Sequence, residues 1–249
     1  MNRLISSLLP LFVGTMLFLH IPDATAQSNR NVTFSCVNFP PFQIEKPKDG
    51  LPGFSIEFLR AAFAKSETNI EFKYYPWKRA LKNVMKGSVD GLCGCSYRPE
   101  REEKLLYSDP LGELSSVVFY NKTSKPAQSE SLESLSGRAV GVVRGYNLQK
   151  ELISHNIKPY LVNDEKMGIN MLIRNRIDFF YSFKAPGQFA LAKNPGKNVI
   201  RYFVLKTSLN FACISKSIPK SSEIVDKLNK GLAAIKADGT YDRILDKYR

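Results

Sequence analysis

The sequence predicts an α/β fold of parallel-type sheets flanked by helices, and three observations carry that expectation. Short apolar runs alternate with amphipathic segments of helical period along the chain. The stretch from Lys78 to Cys95 is a helix–glycine–strand unit, half of a βαβ crossover. Two extended segments, near Leu111–Val117 and Val204–Ser208, separate one set of such elements from another.

The elements follow in order. Strand Val32–Val37, helix Phe54–Phe63, strand Ile70–Tyr74, helix Lys78–Lys86 and strand Val89–Cys95 form the first set. The second helix is read from Ala80, Leu81, Val84 and Met85 sharing one face, with Arg79, Lys82 and Lys86 elsewhere and Gly87 as the stop. A polar linker, Asn121–Glu130, leads to strand Ala139–Val143, a helix beginning near Asn147, strand Pro159–Val162, helix Lys166–Arg174 and strand Ile177–Tyr181. The chain then returns to a strand at Asn210–Ser215 and helix Ser222–Lys236. Alternating β and α implies parallel sheets with right-handed crossovers. No internal repeat, low-complexity tract or heptad run is visible. In open α/β sheets ligands sit outside the carboxyl ends of the strands, which here means Gly94, Cys95 and the basic turn ending in Arg101. A guanidinium there is an always-charged fork suited to a carboxylate or phosphate.

The 249 residues suffice for one large domain or two lobes. Asn2-Arg3, the apolar run Leu4–Ile21 and the small-residue site Ala24-Thr25-Ala26 read as a cleaved export signal over 1–26, with an uncleaved anchor as the alternative. Gln27 rather than Cys follows the site, which argues against a lipid anchor. The mature protein is expected in the periplasm. The formal net charge of +13 survives cleavage, because the leader carries one cation, Arg3, and one acid, Asp23. Nucleic acid is not an expected partner: the lysines are scattered, with no basic tract, zinc spacing or aromatic–basic repeat. A generally basic surface is the simplest reading, and steering of an anionic ligand the next.

Cys36, Cys93, Cys95 and Cys213 all follow the cleavage site, so an oxidising compartment can pair them. No metal is expected, since Cys-x-Cys is not the usual zinc spacing and His155 is the one mature histidine. Within an extended strand Cys93 and Cys95 point the same way with Cα atoms about 6.6 Å apart. That disfavours a bond between them and leaves neighbouring strands, or unpaired buried thiols, as the readings.

Four segments in sequence order, the second holding three motifs, then resemble the bacterial extracellular solute-binding proteins of the polar-amino-acid type, family 3. Phe39-Pro40-Pro41-Phe42 follows the first strand. Gly87–Asp90, Pro99-Glu100-Arg101 and Tyr107-Ser108-Asp109-Pro110 match the family's "G-x-x-D", "T-x-E-R" and hinge patterns. Leu135–Gly145 opens the second lobe, and Ala237-Asp238-Gly239-Thr240-Tyr241 resembles the terminal-helix ending. The resemblance implies a two-lobed periplasmic-binding-protein fold of type II with a two-strand hinge. Lobe one would span 27–114 and 208–249, and lobe two 115–207. In the family's sheet order the strand of Cys93 and Cys95 lies between those of Cys36 and Cys213, so one bond to each side is possible, with the connectivity left open.

The same resemblance furnishes a cleft. Arg101 matches the arginine that grips a ligand carboxylate, against a salt bridge to Glu102 or Glu103 as the plain reading. Arg98 would assist it or face solvent. Trp77 and Phe39 match aromatic walls, flat surfaces that also attract cations. Gly145, Tyr146 and Asn147 form a strand-to-helix turn whose backbone N–H groups suit an anion, with Asn147 as a cap. Gly94, Cys95 and Phe183 complete the expected ligand-binding set. Relatives that bind ordinary amino acids carry an acid at the position of Phe183, five residues beyond Asp178, to hold the ammonium; this chain reads Phe179-Phe180-Tyr181-Ser182-Phe183. Cys36 stands where an acid or polar group is common. The expectation is therefore a monomeric, cofactor-free receptor rather than an enzyme. It would close on a small carboxylate or amino-acid-like ligand and present it to a membrane permease or sensor. An exported dehydratase on the same fold is the alternative; it needs a general acid, and Glu45 is the nearest loop carboxylate. A single mature histidine argues against serine or cysteine triads.

Overall fold

The computed structural model describes residues 31–47, 49–123, 130–192 and 194–248. The expected leader over 1–26 and most of the expected linker, 124–129, lie outside them. The strands are β1 Val32–Cys36, β2 Ile70–Tyr74, β3 Gly91–Ser96, β4 Leu105–Asn121, β5 Val140–Val143, β6 Tyr160–Val162, β7 Phe179–Phe183 and β8 Ile200–Ser215. The α-helices are α1 Phe54–Ala64, α2 Trp77–Met85, α3 Asn147–Ser154, α4 Glu165–Ile173, α5 Lys184–Ala192, α6 Ser221–Ala237 and α7 Thr240–Asp246.

One eight-stranded sheet runs in the order β2-β1-β3-β8-β4-β7-β5-β6. Its outer triples, β2-β1-β3 and β7-β5-β6, are parallel, as βαβ order demands. Between them β4 and β8 pair antiparallel over almost their whole length, and these are the two strands by which the chain crosses from one triple to the other. The short crossings read from sequence are thus the middles of 17- and 16-residue strands. Their pairing slips register at Tyr107/Pro110, Pro110/Gly112 and Ser116/Val117. Bulges bend a ladder without breaking it, so the crossing is continuous yet irregular where two lobes would flex.

Local chemistry explains the joints. Gly53, at φ 101°, precedes α1, and a Cβ there would lie 2.4 Å from the Phe42 carbonyl oxygen. Helix α1 buries Phe54, Phe58, Leu59, Ala62 and Phe63 against α6, where Gly231 lets the helices touch: a Cβ would sit 2.1 Å from the Ala62 oxygen. In α2 only Ala80 and Val84 are buried; Leu81 and Met85, expected on the same inward face, are only partly covered.

The two lobes share a device that sequence inspection does not reveal as a repeat. After α2 the chain turns at Gly87, and after α4 at Asn175, both with positive φ. Each turn delivers an aspartate to the start of a strand. The Asp90 carboxylate accepts from the Thr33 N–H at 2.8 Å while the Asp90 N–H donates to the Thr33 carbonyl at 2.9 Å. Asp178 repeats this with Ala139, at 2.9 and 2.8 Å. Each aspartate thereby clamps the first strand of its lobe to the third. Arg138 also bonds Asp178 at 3.2 Å, and although burial opposes it, these partners hold its carboxyl below the ordinary aspartate range.

The four cysteines pair as Cys36–Cys93 and Cys95–Cys213, one bond to each side of β3. The expectation that Cys93 and Cys95 point the same way is wrong. The β3–β8 register shifts by one residue between Leu92 and Cys95, a bulge that turns Cys95 to the opposite face. Cys93 joins the core beneath α1 and α6, and Cys95 the cluster beneath α2.

Candidate functional site

The carboxyl ends of the parallel strands in both triples gather the chemistry-bearing residues. In lobe one, β1 leads into Phe39-Pro40-Pro41-Phe42, closed into a tight loop by paired backbone bonds between Phe39 and Gln43 at 2.8 and 3.0 Å. Phe39 stacks on Phe42 with ring centroids 5.1 Å apart. Strand β3 ends in the turn Pro99–Arg101. The Arg101 guanidinium lies over the Trp77 ring at 5.6 Å and donates to the Ser96 carbonyl at 3.2 Å. It forms no salt bridge among the described residues; Glu102, one of its two expected neighbours, instead accepts from the Tyr97 hydroxyl at 2.8 Å. Burial pushes the guanidinium below its usual range without threatening its charge. A half-buried cation whose donors are mostly unused among the described residues is chemically suited to an anion.

In lobe two, Tyr146 follows β5, Glu165 follows β6 and Phe183 ends β7. The Tyr146 hydroxyl donates to Glu165 Oε1 at 2.6 Å, and Ser182 Oγ lies 3.4 Å from the same oxygen. Burial raises the Glu165 carboxyl above the ordinary range, although those two hydroxyls oppose it. Burial and the adjacent carboxylate raise the Tyr146 phenol far above its own. Phe183 and Tyr146 stand 5.4 Å apart, and Phe39 from lobe one meets both edge-on, at 5.7 and 5.9 Å. The walls of the two lobes therefore touch through three rings.

The other expected site residues fall as follows. Gly94 sits in the β3 bulge, where a Cβ would lie 2.7 Å from Gln43 Nε2 and 3.3 Å from Asn210 Nδ2, so two buried amides crowd this strand end. Cys95 leaves the ligand wall, because the bulge turns its side chain under α2 and its sulfur is bonded to Cys213. The Arg98 side chain is exposed, and its backbone N–H and carbonyl are both held by the Tyr107 hydroxyl at 3.2 Å. Asn147 is not a cap: it is the first residue of α3, with Tyr146 in the capping position, and its amide donates to Glu151 at 3.1 Å. Gly145 is exposed, with φ 85° and its N–H on Gln149. Glu45 is exposed, with its backbone N–H on Asn38 Oδ1 at 3.1 Å.

Glu165 escaped the sequence reading. The resemblance places a lobe-two acid on β7, whereas this carboxylate arrives from the start of the preceding helix. The available signal was Asp164-Glu165 heading an apolar run, which reads first as an N-cap. Asp164 does cap α4, accepting from the Met167 N–H at 2.8 Å. Its neighbour then points to Tyr146.

Comparison with known proteins fits this geometry. The chain is 27% identical over 220 residues to a protein named as a probable histidine-binding protein of Neisseria gonorrhoeae, covering 86% of this chain and 81% of that one. It is 24% identical over 214 residues to arginine-binding protein 1 of an ABC transporter of Escherichia coli, covering 84% and 86%. Among solved structures, the GluR0 ligand-binding core in complex with L-glutamate aligns with a TM-score of 0.73 at 17% identity, over 89% of this chain and 99% of that one. A histidine kinase sensor domain similar to periplasmic binding proteins aligns at 0.72 and 20% identity, over 88% and 97%. These place the fold as the type II periplasmic-binding-protein architecture. The model of the bacterial extracellular solute-binding proteins, family 3, matches residues 32–249, and the chain belongs to that family.

Proposed function

We propose that this protein is a periplasmic receptor that closes on a free α-amino acid and presents it to a membrane partner, an ABC permease or a sensor. The observation that carries this is the pairing of opposite poles on the two strand edges. Arg101, with no carboxylate partner among the described residues, would take the ligand's carboxylate from lobe one. Glu165, with Tyr146, would face its ammonium from lobe two, so that no acid is needed at Phe183. Phe39 and Trp77 would flank the side chain. Relatives named for histidine, arginine and cystine support the ligand class. Relatives named as periplasmic support the compartment, with maturation at Gln27. The protein acts as a monomer, lobe one being 27–114 with 208–249 and lobe two 115–207.

Calorimetry with a panel of L-amino acids, each beside its 2-hydroxy analogue, tests the assignment. Arg101→Ala leaves a bound carboxylate unpaired and should cost about 3–5 kcal/mol, over a hundredfold, for both members of a pair. Glu165→Gln keeps the Tyr146 bond and removes the charge, so it should weaken the amino acid alone. Equal affinity of wild type and Arg101→Ala for an amino acid would remove the anion site. Equal loss of both pair members in Glu165→Gln would remove the ammonium site.

One feature favours catalysis as a second reading: a buried carboxyl with a raised pKa is also what a general acid requires. Turnover of a prephenate-like acid that disappears in Glu165→Gln would convert the receptor into a dehydratase.

A further inference from the structure

Helix α2 has a second face of which the proposed ligand site would use only Trp77, at its first turn. Trp77, Leu81 and Met85 recur every fourth residue along it, and beside them run Lys78, Lys82 and Lys86 in the same period. Together with Lys104 from the turn before β4 they line an open groove of about 400 Å³. None of the lining residues is acidic, and among the described residues none of the four ammonium groups lies within salt-bridge distance of a carboxylate. Trp77 is 37% exposed even with Arg101 over its ring.

We propose that this face of α2 is a contact for an anionic phospholipid surface. An apolar stripe bearing tryptophan, edged by lysines whose long stems cover apolar surface while their heads reach outward, is the composition of a helix that lies in a membrane interface. Tryptophan favours that depth because its ring is apolar and its N–H is polar. A protein partner fits less well, since lysine is depleted in protein–protein interfaces, where arginine supplies the strong contacts. Anionic headgroups would satisfy four cations that have no carboxylate partner among the described residues and would draw on the net charge of +13. The contact would hold the receptor against the bilayer that contains its membrane partner.

Trp77 is the one tryptophan of the chain, so the test has a built-in reporter. Ligand-free protein is mixed with vesicles of phosphatidylcholine alone, or with phosphatidylglycerol added, and followed by co-sedimentation and by tryptophan emission. Binding to the anionic vesicles with a blue shift, weakened by salt, is expected. Each lysine near such a surface contributes about a fivefold gain, so Lys82→Ala with Lys86→Ala should weaken binding by about thirtyfold. A matched pair at the two ends of α4, Lys166→Ala with Arg174→Ala at its C-cap, should change it little. Failure to bind anionic vesicles overturns the proposal. So does equal loss in the two double variants, which would make the attraction a property of the overall charge. Binding without a change in Trp77 emission would move the contact to another face. Each outcome is read without the amino-acid ligand, so it stands apart from the fate of the cleft assignment.

Discussion

Replacing Cys95 and Cys213 together by alanine unties β3 from the crossing strand β8 while leaving Cys36–Cys93 in place. The two bonds close loops of 57 and 118 residues. Restriction of the unfolded chain scales with the logarithm of loop length, giving about 4 kcal/mol for the shorter loop and about 5 kcal/mol for the longer. The loops follow one another along the chain without overlapping, so the two contributions add to first order. Removing the longer one should therefore cost about 5 kcal/mol, and in a chain of this size that lowers Tm by roughly 10–20 °C. Urea denaturation of wild type, the Cys95/Cys213 pair variant and the Cys36→Ala/Cys93→Ala pair variant is the assay. The variants should also show a larger urea dependence, because an uncrosslinked unfolded chain exposes more surface. A loss below about 1 kcal/mol with unchanged urea dependence would refute the reasoning. So would a larger loss from the shorter loop, since loop length would then not be the controlling quantity.

Gly231→Ala sets two effects against each other. Helix propensity favours alanine by about 1 kcal/mol, whereas a Cβ 2.1 Å from the Ala62 oxygen forces α1 and α6 apart at about 1–3 kcal/mol, the upper end because the clash is with backbone, and calorimetry should show a net loss of about 2 kcal/mol. Asp90→Ala strands the Thr33 N–H at a residue only 2% exposed, and a loss of about 1–3 kcal/mol in urea is expected. Asp178 has a folded pKa below its unfolded value, so its contribution is complete above the unfolded pKa and is lost as pH falls through the folded one. Asp178→Asn should then flatten the acid side of the stability–pH curve without altering the neutral plateau's slope. Glu165 has the opposite shift, so it lowers stability as pH rises through its raised folded pKa. Glu165→Gln should melt no lower than wild type at neutral pH, the difference narrowing in acid.

Local periodicity and turn chemistry made the outer strands and most helices legible, because their burial patterns are set by near neighbours. Gly87 marked the end of α2, and the apolar run after it became β3, though starting at Gly91 rather than Val89. What escaped depends on partners distant in sequence. Strands β4 and β8 alternate too irregularly, with Pro110 and Gly112 inside one of them, for their length to be read without the ladder they form together. Helices α5 and α7 were not delimited; α5 opens with Lys184-Ala185-Pro186-Gly187, a sequence that locally reads as a turn. There Gly187 packs on the Phe119 ring, where a Cβ would lie 2.3 Å away, a constraint invisible along the chain. The bulge in β3 escaped for the same reason, and with it the face of Cys95.

The site divides along the same line. Arg101 and Trp77 are legible as candidates because they sit at fixed distances from a motif, and the structure brings them into cation–π contact. The motif's own aspartate proves to be a clamp. Asp90 and Asp178 spend their carboxylates on the backbones of Thr33 and Ala139, doing identical work in two lobes whose cleft residues have nothing in common. What repeats between the lobes therefore specifies how a strand is held, not what is bound. In the proposed receptor, ligand discrimination would fall to residues that the clamp positions but does not dictate: Arg101 beyond β3, Tyr146 beyond β5, Glu165 beyond β6 and Phe183 at the end of β7. Because each of these lies just past a strand that the clamp or its neighbours hold in register, side-chain identity can change there at little cost to the fold. On the proposed assignment, Glu165 on α4 would take the place of an acid on β7 while the sheet beneath remains the same.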